Sequence, residues 1–182
     1  MDIMIQQATQ SDLKSFFDYL NDHLSDNGSE GTPLFQPLSR EESQVSAGLM
    51  TRFEQGMATP ISINGWRRLW LAINDSSDIV GHIDMRSHPE SNTQHRALLG
   101  MGVDRKARNQ GLGTRLIGEL LAYAEKETDL ERFDLWVLSS NLPAIALYQK
   151  AGFSKQGELT DMFRIDGASY GYTLMSRAIS DE

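Results

Sequence analysis

Apolar residues recur along this chain with two different periods, and the switching between them lays out its elements. Ile3 and Ile5 alternate with polar neighbours, the period of a short strand. Leu13, Phe16, Phe17 and Leu20 then fall at helical spacing, with Thr9 offering an N-cap and Asp12 following three residues on. Residues 25–38 turn to Asn, Gly, Ser and two prolines and predict a long loop. Ser39 with Glu42 forms an S-x-x-E capping box, and Val45, Leu49 and Phe53 repeat every four residues, so a second helix is expected from that box onward. WRRLWLAI, residues 66–73, is rich in aromatic and branched residues and reads as a strand.

A polar turn at residues 74–78 leads into IVGHIDMR. There Ile79, Gly81, Ile83 and Met85 share one face, and His82, Asp84 and Arg86 share the other. RALLGMGV, residues 96–103, predicts a central strand. Leu112, Leu116, Ile117, Leu120, Leu121 and Ala124 mark one face of a helix ending near residue 127. FDLWVL is a further strand, residues 141–150 a short helix, and residues 153–159 and 169–176 the last two strands. The order β-α-α-β-β-β-α-β-α-β-β predicts one domain over residues 1–182 of mixed α/β (α+β) class, a central mixed sheet with helices on both faces.

Composition narrows the chemistry. With 182 residues and 40% hydrophobic positions the chain is long enough for one full core. It has no cysteine, which excludes a disulfide framework, a thiolate metal site and a cysteine nucleophile, and fits a cytoplasmic protein. No export signal or apolar span is legible, so no membrane partner is expected. The net charge of −8 argues against nucleic acid and suits a cationic amine. Sequence leaves open whether the chain pairs into homodimers.

Against that acidic background, RKARNQGLGTRL, residues 105–116, sets Arg105, Lys106, Arg108 and Arg115 around Gly111 and Gly113 at a helix start. A helix N-terminus presents unpaired N–H groups and partial positive charge, and glycines let several of those groups converge on one phosphate. Neither G-x-G-x-x-G with its acidic ribose contact nor G-x-x-x-x-G-K-[ST] is present, so dinucleotide and P-loop sites are not supported. The glycines could also serve only to close a strand-to-helix turn.

With VDRKARNQGLG in view, the chain resembles the GNAT family of N-acetyltransferases. The family's [RQ]-x-x-G-x-[GA] signature is met by Arg108, Gly111 and Gly113 after a strand closed by Val103. NLPAIALYQKAGF resembles its second segment, N-x-x-A-x-x-x-Y-x-x-x-G-F, at every written position: Asn141, Ala144, Tyr148, Gly152 and Phe153. The likeness is good over residues 79–175. The stretch from Phe163 to Met175 is closest by eye to members that acylate amino acids or related amines.

The resemblance implies the acyl-CoA N-acyltransferase (GNAT) fold, with a mostly antiparallel sheet, and transfer of an acetyl group from acetyl-CoA to a primary amine within a ternary complex, with no metal. It implies that the N–H groups of Arg108, Asn109, Gln110, Gly111, Leu112, Gly113 and Thr114 hold the pyrophosphate. Met101 and Val103 would run beside the pantetheine, with a main-chain N–H at Met101 polarising the thioester carbonyl. Tyr148 becomes the candidate general acid toward the departing thiolate. Asn141 is either a pantetheine ligand or a helix N-cap. Some relatives carry a carboxylate on the strand before the phosphate turn; Arg96, Ala97, Leu98 and Leu99 supply none. His82 and Asp84 are then the base candidates, with Glu158 and Asp161 behind them. The long loop, the second helix and the loops around Trp66 and Glu90 are expected to build the substrate surface. Acceptors of three kinds stay open: a small-molecule amine such as an amino acid, a protein N-terminus or lysine, or none at all in a non-catalytic acyl-CoA sensor.

Overall fold

In the computed structural model, which describes residues 2–29 and 31–180, seven strands form one sheet. They are β1 (Ile3–Gln7), β2 (Arg67–Asn74), β3 (Ile79–Ser87), β4 (Arg96–Val103), β5 (Arg132–Leu138), β6 (Ser154–Ile165) and β7 (Ala168–Ala178), in spatial order β1-β2-β3-β4-β5-β7-β6. The helices are α1 (Leu13–Ser25), α2 (Ala47–Ala58), α3 (Leu112–Glu127) and α4 (Leu142–Lys150). Each neighbouring strand pair is antiparallel except β4–β5, which is parallel because α3 carries the chain across between them. The expected element order and the mixed, mostly antiparallel sheet are what the chain forms.

The alternation in β3 divides the molecule. Ile83 and Met85 face α3 and pack with Leu112, Leu116 and Leu120. On the opposite face α1 and α2 bring Phe16, Leu20 and Phe53 against Leu69 and Leu71. Trp66 and Trp70 lie in the core on the α3 side, Trp70 edge-on to Tyr123 at 4.9 Å; the alternation of β2 turns them away from the opposite face.

Two boundaries differ from the sequence expectation. Ser39 and Glu42 do close on each other, with Ser39 N–H to Glu42 Oε2 at 3.0 Å and Glu42 N–H to Ser39 Oγ at 3.2 Å, but only as one turn. Ser43 Oγ donates to Ser39 O and takes a hydrogen bond from Asn27 Nδ2, tying this turn to the loop after α1. α2 begins instead at Ala47, where Ser46 Oγ accepts from Leu49 N–H at 3.1 Å. β6 runs past Leu159 to Ile165 through a bulge, and Asp166–Gly167 turns the hairpin into β7.

One irregularity positions the site. β4 and β5 pair only at Arg96↔Arg132, Ala97↔Phe133 and Leu98↔Asp134, after which they diverge. The base of this wedge is pinned by Asp134, which accepts from Arg96 Nε at 2.7 Å and Nη2 at 2.5 Å and lies 2.9 Å from His88 Nε2.

Candidate active site

The divergence frees one edge of β4. Asp104 N–H donates to Val80 O at 2.9 Å, and the register Gly102↔His82, Gly100↔Asp84 follows from it. By the alternation of an antiparallel ladder, Gly100 and Gly102 direct their peptide groups to β3. Met101 and Val103 direct theirs into the wedge, where β5 has moved away. A ligand with peptide-like amides can therefore add to β4 there as a strand would.

The glycine turn opens at the same end. Asn109 (φ 60°) and Gly111 (φ 76°) adopt left-handed conformations, and Gly111 caps α3 without a side-chain partner. The first bond within α3 runs from Arg115 N–H to Gly111 O, so the N–H groups of Leu112, Gly113 and Thr114 have no partner in the helix. These donors, with the concavity that alternating left-handed residues create, form an anion cradle. Gly113 has a further reason to be glycine: a Cβ there would lie 2.8 Å from Leu147 Cδ2 and 3.6 Å from Met101 Cε, so it lets β4, α3 and α4 meet.

The four cations around this turn do not act together. Arg105 is ion-paired with Asp26 and Asp22, which fixes the turn to the end of α1. Arg115 Nη2 donates to Ile3 O at 2.6 Å, on β1. Of these four, Arg108 alone lines the cavity; its Nε donates to Val103 O at 3.1 Å, leaving the rest of the guanidinium to the opening. The local excess read from sequence is thus largely committed to holding the turn in place.

Asn141 caps α4, its Oδ1 accepting from Ala144 N–H at 3.4 Å, and it also borders the cavity. Tyr148, about two helical turns onward, lines the cavity from the α4 side and packs edge-on to Phe153 at 5.8 Å. Burial pushes its phenol up to about 12, so it stays protonated throughout the neutral range.

The opposite wall carries the base candidates. A Cβ on Gly100 would stand 2.6 Å from Asp84 Oδ1, and one on Gly102 would stand 2.6 Å from His23 Nε2 and 2.7 Å from His82 Cε1. Side chains from β3 and α1 thus fill the space a β4 side chain would take. Asp84 is buried and lies 3.5 Å from Arg67 Nη1 and 3.4 Å from Arg86 Nη1. His82 Nδ1 lies 3.2 Å from Tyr19 Oη, and that phenol is within 3.4 Å of Gly102 O. A phenol has one hydrogen; if it goes to Gly102 O, the His82 proton sits on Nδ1. Burial drives His82 down to about 3, helped by His23 and Arg67, and His23 down to about 4. Both rings are neutral, and His82 takes up a proton poorly.

That pair has a measurable consequence. An unfolded chain protonates both rings near pH 6.5, whereas the folded protein does so only near 4 and 3. Between those limits the unfolded state holds more protons, so stability falls as pH drops from about 6.5 toward 4. Unfolding at about pH 5.5, followed by calorimetry in buffers of different ionisation enthalpy, should show uptake of about two protons from these rings. Uptake unchanged in a His23→Phe/His82→Phe variant would show that neither ring is held neutral.

A cavity of about 1130 Å³ joins these parts. It takes in Met101, Val103, Arg108, Asn109, Gly111, Leu112, Gly113, Thr114, Asn141 and Tyr148, together with His82 and Asp84. Gln110 is outside it, its amide turned back onto Lys106 O at 2.9 Å. Glu158 is paired with Lys155 and Asp161 with Arg164 out on the β6–β7 hairpin; neither lines the cavity. The long loop and α2 contribute Phe35, Leu49, Arg52 and Phe53, but the loops around Trp66 and Glu90 do not. Sequence reading missed His23, Arg67, Trp136 and Tyr172, all of which line the cavity. Among the described residues no helix is long and apolar enough to cross a membrane.

Comparison with known proteins gives a consistent picture. The family model described as Acetyltransferase (GNAT) family matches residues 37–153. An L-amino acid N-acetyltransferase of Escherichia coli (strain K12) is 31% identical over 80 residues, 44% of this chain and 49% of that protein, so the match spans about half of that relative's length. A GNAT-family acetyltransferase structure from Streptococcus pneumoniae superposes with a TM-score of 0.78 at 23% identity, over 98% of this chain and 100% of that one. A phosphinothricin acetyltransferase from Sinorhizobium meliloti, solved in complex with AcCoA, superposes with a TM-score of 0.78 at 16% identity, over 98% of this chain and 89% of that one.

Proposed function

The chain belongs to the GNAT acetyltransferase family, and from that premise we propose that it moves an acetyl group from acetyl-CoA to the primary amine of a small molecule, an amino acid or a close analogue. The observation that carries this reading is the parting of β4 and β5 after Leu98↔Asp134, with the open N-terminus of α3 at one end of the gap and Tyr148 facing it. The residues present suit acetyl-CoA. The N–H groups of Leu112, Gly113 and Thr114, with Arg108, would bind the diphosphate, and the peptide groups of Met101 with the N–H of Val103 would bind the pantetheine amides.

The chemistry asks little covalent work of the protein. The amine nitrogen attacks the thioester carbonyl carbon, the carbon–sulfur bond breaks, and the N–H of Met101 stabilises the oxygen as it gains charge. Tyr148 gives its proton, or a hydrogen bond, to the leaving sulfur, and the proton that the nitrogen sheds as the amide forms restores the phenol, directly or through water. The ammonium must lose a proton first. His82 is unsuited to take it, being buried and held near 3. Asp84, at the cavity wall beside Gly100, is the better placed acceptor, directly or through water. The carboxylate beside a free amino acid's ammonium holds its pKa above the roughly 8 of a chain terminus, so an acceptor for that proton is required.

The test supplies acetyl-CoA with separate panels of amino acids, polyamines and short peptides, and follows release of free thiol. Turnover with amino acids is expected. Turnover with peptides alone would move the activity to protein N-termini or lysines, and tight acetyl-CoA binding with no turnover at all would make the chain a sensor.

A further inference from the structure

On the cavity wall, β2 and β3 set two arginines directly opposite each other, Arg67↔Arg86. Like charges at facing positions of an antiparallel pair destabilise a sheet. Removing a guanidinium from water adds a further cost unless its donors are met. Arg67 bears both penalties. Its side chain is only 10% exposed, and its guanidinium lies over the ring of Phe53 at 4.2 Å and 3.5 Å from Asp84 Oδ2. It forms no hydrogen bond among the described residues beyond that long ion pair. Burial lowers its pKa, and the Asp84 charge offsets this only in part.

The charges nearby do not balance it. Asp84 is shared with Arg86, whose Nη1 is 3.4 Å from the same carboxylate oxygen. Arg52 on α2 borders the same part of the cavity and acts on Arg67 as a like charge. The other carboxylate at this wall, Glu42, has its Oε2 engaged by the N–H and hydroxyl of its own Ser39. Three guanidiniums therefore face two carboxylates, and the most buried of the three has unused donors opening on the cavity.

We infer that Arg67 and Arg86 form a carboxylate-binding subsite, so that the acceptor is an amine carrying a carboxylate close to its amino group. This rests on the acetyltransferase reading and specifies its acceptor. The placement fits such a molecule. Arg86 Nη1 would stand 3.3 Å from a Cβ on Gly100, one residue before Met101, the position assigned to the thioester. An α-amino acid separates its two groups by a single carbon, so a carboxylate held on the arginines leaves its nitrogen near Asp84 and the wedge. The planar fork of arginine binds a carboxylate through two parallel hydrogen bonds, which a lysine cannot reproduce.

The experiment compares leucine, leucinamide and isopentylamine as acceptors with acetyl-CoA held saturating. The free acid should exceed the other two in kcat/KM by about 10–100-fold, the range set by one charge-assisted contact. Arg67→Lys and Arg86→Gln should raise KM for leucine far more than KM for leucinamide and leave the acetyl-CoA dissociation constant nearly unchanged; kcat for the two acceptors should shift together, because both arginines also touch Asp84. Calorimetric titration of leucine and leucinamide into the CoA-loaded protein keeps the subsite measurable if turnover is absent. Equal use or equal binding of acid, amide and amine would overturn the subsite and leave the acetyltransferase standing. Leucine binding that depends on Arg67, with no thiol released for any amine, would uphold the subsite and overturn the enzyme.

Discussion

Tyr148→Phe is expected to lower kcat about a hundredfold while changing the acetyl-CoA dissociation constant less than about threefold. The substitution removes one hydroxyl and keeps the ring, so the edge-on packing with Phe153 survives. What is lost is a proton donor facing the wedge. Burial holds that donor protonated, up to about 12, and so available at every neutral pH. A hundredfold loss corresponds to about 2.7 kcal/mol of transition-state stabilisation, within the range of one general acid. The diagnostic feature is the split. An interaction made chiefly at the transition state lowers kcat and kcat/KM together and spares cofactor affinity. Wild-type kcat in the variant would remove Tyr148 from the mechanism, and a matching loss of acetyl-CoA affinity would make it a packing residue of the cofactor cleft.

Legibility of the fold followed the strength of the local signal. The alternation in β3 and the glycines before α3 are dictated by backbone physics within a few residues, the segment from Asn141 to Phe153 was legible through its resemblance, and all three elements formed where expected. The start of α2 was not legible. Its Ser39–Glu42 box is a real local structure, but whether a box propagates depends on what surrounds it, here the tie from Asn27 to Ser43. The β6 extension was hidden because its second half continues through a bulge.

Site residues divide the same way. The main-chain roles proposed for Met101, Gly111 and Gly113 could be read from the motif alone, because they use backbone groups that strand alternation and a glycine turn direct. The acceptor wall could not. Arg86 was visible beside Asp84 on one face of β3, but its opposite number Arg67 belongs to a strand far away in sequence, and only the register joins them. Its one available sign was an arginine on the strand face otherwise occupied by Leu69 and Leu71. The cations at the glycine turn failed in the opposite direction. Their clustering in sequence suggested a shared task, and the fold gives Arg105 and Arg115 to Asp26 and to β1.

The wedge itself depends on a residue that no motif marks, and Asp134→Ala is expected to cost about 2–4 kcal/mol of stability at neutral pH. Asp134 is buried and accepts two hydrogen bonds from Arg96, with His88 at 2.9 Å. Removing it leaves that guanidinium without its carboxylate; because the Arg96 side chain is 29% exposed, water recovers part of the loss. In a domain of this size the change corresponds to a fall in Tm of roughly 4–16 °C. The pH dependence is specific. Burial acts to raise the Asp134 pKa, but hydrogen bonds from Arg96 and Ser176, the Arg96 charge and His88 together hold it below the ordinary 3.8. Its contribution is therefore complete above that value and disappears as acid protonates the folded carboxylate. The Tm gap between wild type and variant should persist from pH 7 to about 5 and close below about 4, with Asp134→Asn falling between the two. Because this network sits at the last β4–β5 pair, acetyl-CoA binding should weaken alongside stability in the alanine variant. A Tm within about 2 °C of wild type at pH 7, or a gap that persists in acid, would show that the strands part for reasons other than the charge at Asp134.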